Sequence, residues 1–408
     1  MMDEPPKHRP PNTSFKQQRL KAWQPILTAK SVLPTFFIIG ILFAPLGGLL
    51  VWKDGMVTEL SFDYTACSSV TTPTVIPGVS WAHPSSVGDF DPPTYVNATG
   101  PVTITVQGQV NPANIHTYQV GRCNIQLTFP VDLQPPVMMY YKLTNFYQNH
   151  RKYTKSLDYK QLGGEASSKE SIISRKGCTI NPADPLVYPC GLIANSMFND
   201  TISGLTAVPT PGTEAPATGE NYTFADTGIA WSTDRTKYGN YGYTNLSAIV
   251  PPPNWSIRYP SDTYSADFPP PKITEDEHFQ VWMRTAGWPT FLKAYGRNDN
   301  TVLKKGTYQM TIDMNFPIDT YGGKKYIVFS TLGATGGRNN VLGIGYIIAA
   351  VLSAALGIIF TAFHIVRPRV IGDHSKISFG GEATVHTRSA NRADDVGGNR
   401  IRSRYEDD

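Results

Sequence analysis

The stretch Val341–Val366, VLGIGYIIAAVLSAALGIIFTAFHIV, decides the fold. Over its 26 residues the only side chain that can carry charge is His364. A helix needs roughly 20 apolar residues to cross the hydrocarbon of a bilayer, and a core helix of a soluble protein is not expected to reach this length and purity. Near the other end, Val32–Trp52 reads VLPTFFIIGILFAPLGGLLVW and is likewise uncharged. A secretory leader has an apolar core of about 7–15 residues behind a short basic stretch. This run is longer and starts at residue 32, so it reads as an uncleaved anchor.

Two spans divide the chain into residues 1–31, a first span 32–52, a middle region 53–340, a second span 341–366, and a tail 367–408. Lys7, Arg9, Lys16, Arg19, Lys21 and Lys30 precede the first span. Arg367, Arg369, Lys376, Arg388, Arg392, Arg400, Arg402 and Arg404 follow the second. Basic residues stay on the cytosolic side, so both ends are expected there and the middle region is expected to be lumenal or extracellular. The polar, Gly/Arg-rich tail is expected to be largely disordered.

The middle region carries two marks of an oxidising, glycosylating compartment. All four cysteines, Cys67, Cys123, Cys178 and Cys190, lie in it, and none forms a C-x-x-C pair suited to zinc. Four cysteines can pair in three ways; sequential pairing, Cys67 with Cys123 and Cys178 with Cys190, closes the simplest loops. The sequons at Asn97, Asn199, Asn221, Asn245 and Asn254 also fall there and are candidate glycosylation sites. Asn12-Thr-Ser lies on the cytosolic side and should stay bare.

Alternation of apolar and polar residues marks strands in this region. One face collects Val102, Ile104 and Val106; others collect Ile125, Leu127 and Phe129, then Val137, Met139, Tyr141 and Leu143, then Tyr308, Met310, Ile312, Met314 and Phe316. KKYIVFST follows. Early and late strands must pair if both ends of the region are tied to adjacent spans. The fold class is therefore a membrane protein with two transmembrane helices and a large lumenal, mainly-β domain, an antiparallel sandwich with long loops and short helices. Asn145–Leu157 reads as a short amphipathic helix, with Phe146, Tyr147, His150 and Tyr153 in helical spacing. Residues 203–220 read as an exposed loop.

Catalytic signatures are sparse. The sequence has no G-x-x-x-x-G-K-[ST], G-x-S-x-G or H-E-x-x-H. DRTKYG, Asp234–Gly239, has the wrong residues for the phosphorylated aspartate of an ion pump. Glu275, Asp276, Glu277 and His278 cluster as EDEH, a metal or acid–base arrangement in principle and more commonly a hydrogen-bonded turn. NHRKYTK, Asn149–Lys155, offers a basic face to an acidic partner or to solvent. No cofactor or metal is expected. The net charge of +4 with 17% charged residues is not the composition of a nucleic-acid-binding protein.

The spans themselves say more. Gly40, Ala44 and Gly48 stand at small-x-x-x-small spacing in the first, and Ala349, Ser353 and Gly357 in the second. Small residues on one face let helices approach closely in lipid, either with each other or with another membrane protein. Pro34 and Pro45 should bend or loosen the first span. Ahead of it, SFKQQRLKAWQP sets Lys16, Arg19 and Lys21 beside Phe15, Leu20 and Trp23, a composition suited to an anionic cytosolic interface.

Five blocks carry a resemblance: NTSFKQQRLKAWQPILTAKSVLPTFFIIG, NFYQNHRKYTKS, PCGLIANSMFND, WSTDRTKYGN and EDEHFQVWMRTAGWPTFLKAYGR. In this order they resemble the cell division control protein 50 / ligand-effect modulator family, from about residue 12 to about residue 369. The resemblance implies an accessory β-subunit of a type IV P-type ATPase, a phospholipid flippase. Such a subunit is non-catalytic. It supports the stability, endoplasmic reticulum exit and activity of the large subunit, and resides in secretory-pathway or plasma membranes. The implied partners are that catalytic subunit and membrane phospholipids. Phe15, Arg19, Trp23 and the two small-residue stripes are the expected partner-binding residues, and Asn199, inside PCGLIANSMFND, is the first-ranked glycosylation site. A stand-alone adhesion or receptor protein is the alternative, and a lumenal hydrolase a third reading.

Overall fold

A computed structural model describes residues 11–22, 27–84, 91–98, 100–175, 178, 185–208, 221–333 and 335–368. Trp23 and the tail from 369 on lie outside the described residues. Two units can be described separately: residues 40–351, and the flanking 1–39 with 352–408.

The two apolar runs are helices, Ala29–Gly55 and Val341–Val366. The first begins three residues before the apolar run and ends three after it, and Pro34 and Pro45 both lie inside it without a break. In lipid, neighbouring helices and local adjustment tolerate such prolines.

Between the helices stands an antiparallel β-sandwich. One sheet has five strands, in the order Phe291–Asn298, Val137–Leu143, Lys325–Thr331, Glu59–Asp63, Ser80–Ala82. The other is built on Ile115–Phe129 paired with Gly306–Met314, and carries Thr94–Asn97 and Thr74–Val75 on one side and Leu205–Val208 and Asn221–Tyr222 on the other. Alternate residues of both sheets turn inward. Leu60, Phe62, Val137, Met139, Tyr141, Leu143, Ile327 and Phe329 meet Tyr95, Ile125, Leu127, Phe129, Tyr308, Met310 and Ile312 in one core. The Phe129 and Phe329 rings join the layers edge-to-face at 5.7 Å. Each such side chain, fully buried, contributes about 1.5–3 kcal/mol.

The sandwich read from sequence is what the chain adopts, including the pairing of its first and last strands. Glu59 stands opposite Ser330, and Thr331 N donates to Thr58 O at 3.0 Å. Below this pair Asp54, at the end of the first helix, accepts from Asn339 N, and Asn339 Oδ1 accepts from Val341 N at the start of the second. A carboxylate there also suits the positive end of the helix. The ends of both helices on this side are thereby tied to each other through Asn339, a few residues from the paired first and last strands. Disulfides join Cys67 to Cys123 and Cys178 to Cys190, with Cα atoms 5.9 and 6.1 Å apart.

Two local readings need correction. Asn145–Leu157 is not one amphipathic helix; only Arg151–Thr154 is helical. Tertiary bonds override the local spacing. Asn145 takes a left-handed backbone (φ 54°) and its amide donates to Tyr321 O. Phe146 is drawn into a cluster with Trp282, Phe291, Phe316 and Tyr321. Within 203–220, Leu205–Val208 is a strand paired with Gly306–Met314, not loop; residues 209–220 lie outside the described residues.

Candidate functional site

The apolar helices meet through glycine. In the 40–351 unit a Cβ added to Gly47 would stand 2.8 Å from Gly343 O and from Ile347 Cγ1, and one added to Gly343 would stand 2.7 Å from Val51 Cγ2. Phe43 meets Tyr346 edge-to-face at 5.1 Å. In the other unit, Gly357 lies against the Phe37 ring, where an added Cβ would come within 3.1 Å, and Phe36 tilts against Phe360 at 5.7 Å.

Of the residues expected to form close faces, Gly357 is buried in this way, while Ala349 and Ser353 are half-buried. Gly47 and Gly343 make the contact that the four-residue spacing missed, and Ala350, beside the second stripe, is buried as well. Gly343, Ala350 and Gly357 are seven apart, and that repeat would have revealed them. On the first helix Gly40 is half-buried, Ala44 and Gly48 are exposed, and a Cβ on Gly48 would meet nothing within 4 Å. The pairing of the two helices therefore leaves most of the Gly40–Ala44–Gly48 stripe open.

This difference is measurable. Gly47→Leu should destabilise the chain in detergent micelles by about 1–3 kcal/mol, the usual cost of overpacking. Gly48→Leu should stay within about 0.5 kcal/mol. Denaturant unfolding followed by tryptophan emission compares them.

Ahead of the first helix, Gln17 N donates to Thr13 O at 2.9 Å and Arg19 donates to the Asn12 side chain, forming a turn. Phe15 and Leu20 are both largely exposed.

The sequons differ in access. Asn221, Asn245 and Asn254 are exposed; Asn97 and Asn199 are half-buried. Asn97 donates its amide to Ser68 O at 2.9 Å. The Asn199 Oδ1 is buried, and the residue lines a cleft of about 250 Å³ with Asn254, Arg258 and Tyr321.

EDEH is a structural turn. Asp276 caps the Glu277–Met283 helix by accepting from Phe279 N at 2.9 Å. Glu277 accepts from the N–H groups of Ile229 and Ala230 at 2.8 Å each and pairs with Arg235 at 2.6 Å. Burial pushes its pKa up, but those N–H donors and Arg235 outweigh it and hold the carboxyl below its ordinary 4.5. A carboxylate so engaged has little freedom to act as a base. The His278 ring lies tilted against Tyr295 at 4.5 Å, and burial holds its pKa below the usual range. The Asp234 carboxylate of DRTKYG pairs with Lys237 and Arg284.

Glu277 has a pH signature. A carboxyl depressed in the fold adds stability above its unfolded pKa, and that stability drains as pH falls through the folded value. Acid unfolding should therefore steepen below pH 4.5. Glu277→Gln should lower stability at neutral pH by about 1–3 kcal/mol and flatten the slope in that acid window, read from urea midpoints at successive pH values.

The chain can now be set beside known proteins. A model of the LEM3 (ligand-effect modulator 3) family / CDC50 family matches residues 50–370. The phospholipid-transporting ATPase accessory subunit CDC50 of Chaetomium thermophilum is 38% identical over 385 residues, 92% of each chain. The accessory subunit CRF1 of Saccharomyces cerevisiae is 36% identical over 91% of this chain and 89% of its own. Cell cycle control protein 50A of Bos taurus is 36% identical over 86% and 88%. The matched span takes in the β-sandwich, both disulfides and the second apolar helix, and the chain belongs to the CDC50/LEM3 family.

Proposed function

We propose that this chain is the non-catalytic accessory subunit of a phospholipid-transporting P-type ATPase. The observation that carries the reading is likeness along nine-tenths of both chains to proteins named as such subunits. In this reading the protein acts by binding. Its helices and β-domain hold the ATPase in working conformations by preferring them to others. The experiment is recovery of a tagged chain in mild detergent: a large ATPase should accompany it and show lipid-stimulated ATP hydrolysis. Recovery of the chain alone, across several detergents and lipids, overturns the reading and returns the stand-alone adhesion or receptor alternative.

The arrangement proposed with it puts residues 1–31 and 367–408 in the cytosol and 53–340 on the exoplasmic side of a secretory-pathway membrane. The flanking basic residues support this. A glycosidase-sensitive mobility shift, with tags on both ends protected from external protease, is the expected result. For occupied sequons, exposure favours Asn221, Asn245 and Asn254, and Asn199 is reached through its cleft.

The open stripe of Gly40, Ala44 and Gly48 is the proposed seat of an ATPase helix, with Phe15, Arg19 and Trp23 along the cytosolic interface. Gly48→Leu should cut recovery of the ATPase several-fold while the chain's own stability holds. The Phe15→Ala/Trp23→Ala pair should lower recovery as well; unchanged recovery counts against the assignment.

A further inference from the structure

The strand register gives the β-domain a membrane end and a remote end. Thr331 faces Val137 beside the helices, whereas Lys325 faces Leu143 at the opposite end, and Leu143 in turn faces Phe291. A seven-residue strand separates the two ends by about 20 Å. Just past the remote end, two stretches of chain run side by side. Phe146 N donates to Pro289 O at 3.0 Å, Asn149 Nδ2 donates to Gly287 O at 3.0 Å, and Ala286 N donates to Gln148 Oε1 at 2.8 Å. Phe146 and Gln148 are buried and anchor this frame. The residues between the anchors, Tyr147 and Trp288, face water, 57% and 78% exposed.

Charge follows directly in the chain, on and just after the short helix Arg151–Thr154. Arg151, Lys152 and Lys155 are exposed, as is His150. Several cations elsewhere in the domain are matched to carboxylates, as in Arg122–Asp313, Lys160–Glu165, Arg235–Glu277 and Lys304–Asp132. Among the described residues, no such partner is found for Arg151, Lys152 or Lys155.

We propose that this remote tip, with Tyr147 and Trp288 flanked by Arg151, Lys152 and Lys155, docks an acidic peptide segment of a second protein. Rigidly held Tyr and Trp are low-entropy anchors for an apolar side chain. The unpaired cations supply complementary charge, which speeds encounter and selects carboxylates. The chain's own membrane lies at the other end of the sandwich, so the approach is open to a partner distinct from a membrane-embedded ATPase.

The test uses the full-length chain in detergent micelles and a fluorescein-labelled (Glu-Asp-Leu)4 peptide, followed by anisotropy. The wild type should bind it, and 0.5 M NaCl, chosen to bring the Debye length to a few ångströms, should release it. Arg151→Glu/Lys152→Glu/Lys155→Glu should weaken binding at least tenfold, Trp288→Ala at least threefold, and Trp288→Phe should restore most of it, all with melting temperatures unchanged. Equal binding by the triple variant or by Trp288→Ala overturns the proposal. So does equal binding of a (Gln-Asn-Leu)4 peptide, tighter binding of phosphatidylserine vesicles than of the peptide, or a concentration-dependent dimer that the triple variant abolishes.

Discussion

Asp200→Asn should cost about 3–5 kcal/mol and leave little folded protein, because it strands a buried charge. The Asp200 side chain is 0% exposed and that of Lys325 is 5% exposed, with 2.7 Å between Lys325 Nζ and Asp200 Oδ2. Tyr64 OH donates to the same oxygen at 2.8 Å. The other oxygen accepts from Phe316 N at 2.6 Å and from Asn315 N. Asparagine keeps the volume but leaves the Lys325 ammonium without its counter-charge. It also keeps the Asn199-x-Thr201 sequon, so a loss of protein reports on folding rather than glycosylation. The companion Asp200→Asn/Lys325→Met removes both charges, keeps an acceptor oxygen for the Phe316 and Asn315 N–H groups, and should be less destabilised than Asp200→Asn, since no uncompensated buried charge remains. Thermal unfolding of the detergent-solubilised chains decides the order.

Cys67→Ser/Cys123→Ser should be the more damaging of the two disulfide deletions. The Cys67–Cys123 bond joins residues 56 apart and the Cys178–Cys190 bond residues 12 apart. With loop-closure entropy the longer loop contributes about 4 kcal/mol and the shorter about 3 kcal/mol. Position reinforces the difference. Cys67 and Cys123 are both fully buried within the sandwich core, and Cys123 belongs to the Ile115–Phe129 strand at its centre. Cys178 and Cys190 pack in a small satellite cluster with Ile172. Urea midpoints of the two double variants should rank in that order; the reverse ranking would show that the satellite cluster stabilises the domain more than its size implies.

Both spans and the sandwich were legible because they rest on long-range regularities. An uncharged run of membrane length has few competing readings. Period-two alternation in Val137–Leu143 or Tyr308–Ile312 survives because each strand buries one face. Readings that depended on a neighbour were not legible. The aromatic spacing in Asn145–Leu157 suits a helix, yet Phe146 is claimed by Trp282 and Phe291, more than a hundred residues on. The Lys325–Asp200 pair spans 125 residues, and nothing local distinguishes this aspartate from a surface one. In the spans, the small residues were visible, but which of them face the other helix is set by the rotation of each helix. Gly47 is enclosed and its neighbour Gly48 is not.

The strand order has a consequence for biogenesis. Lys325–Thr331, the central strand of the five-stranded sheet, is the last strand of the domain in the chain. While the ribosome is still working, Glu59–Asp63 can pair only with Ser80–Ala82 and Val137–Leu143 only with Phe291–Asn298, and the strand that lies between the two pairs is missing. The two pairs can join into one sheet only when the chain is nearly complete, since contacts this distant in sequence form late. Until then an incompletely folded intermediate exposes unpaired edges. A truncation ending before Lys325 should thus be retained and degraded, even though most of the sandwich has been synthesised.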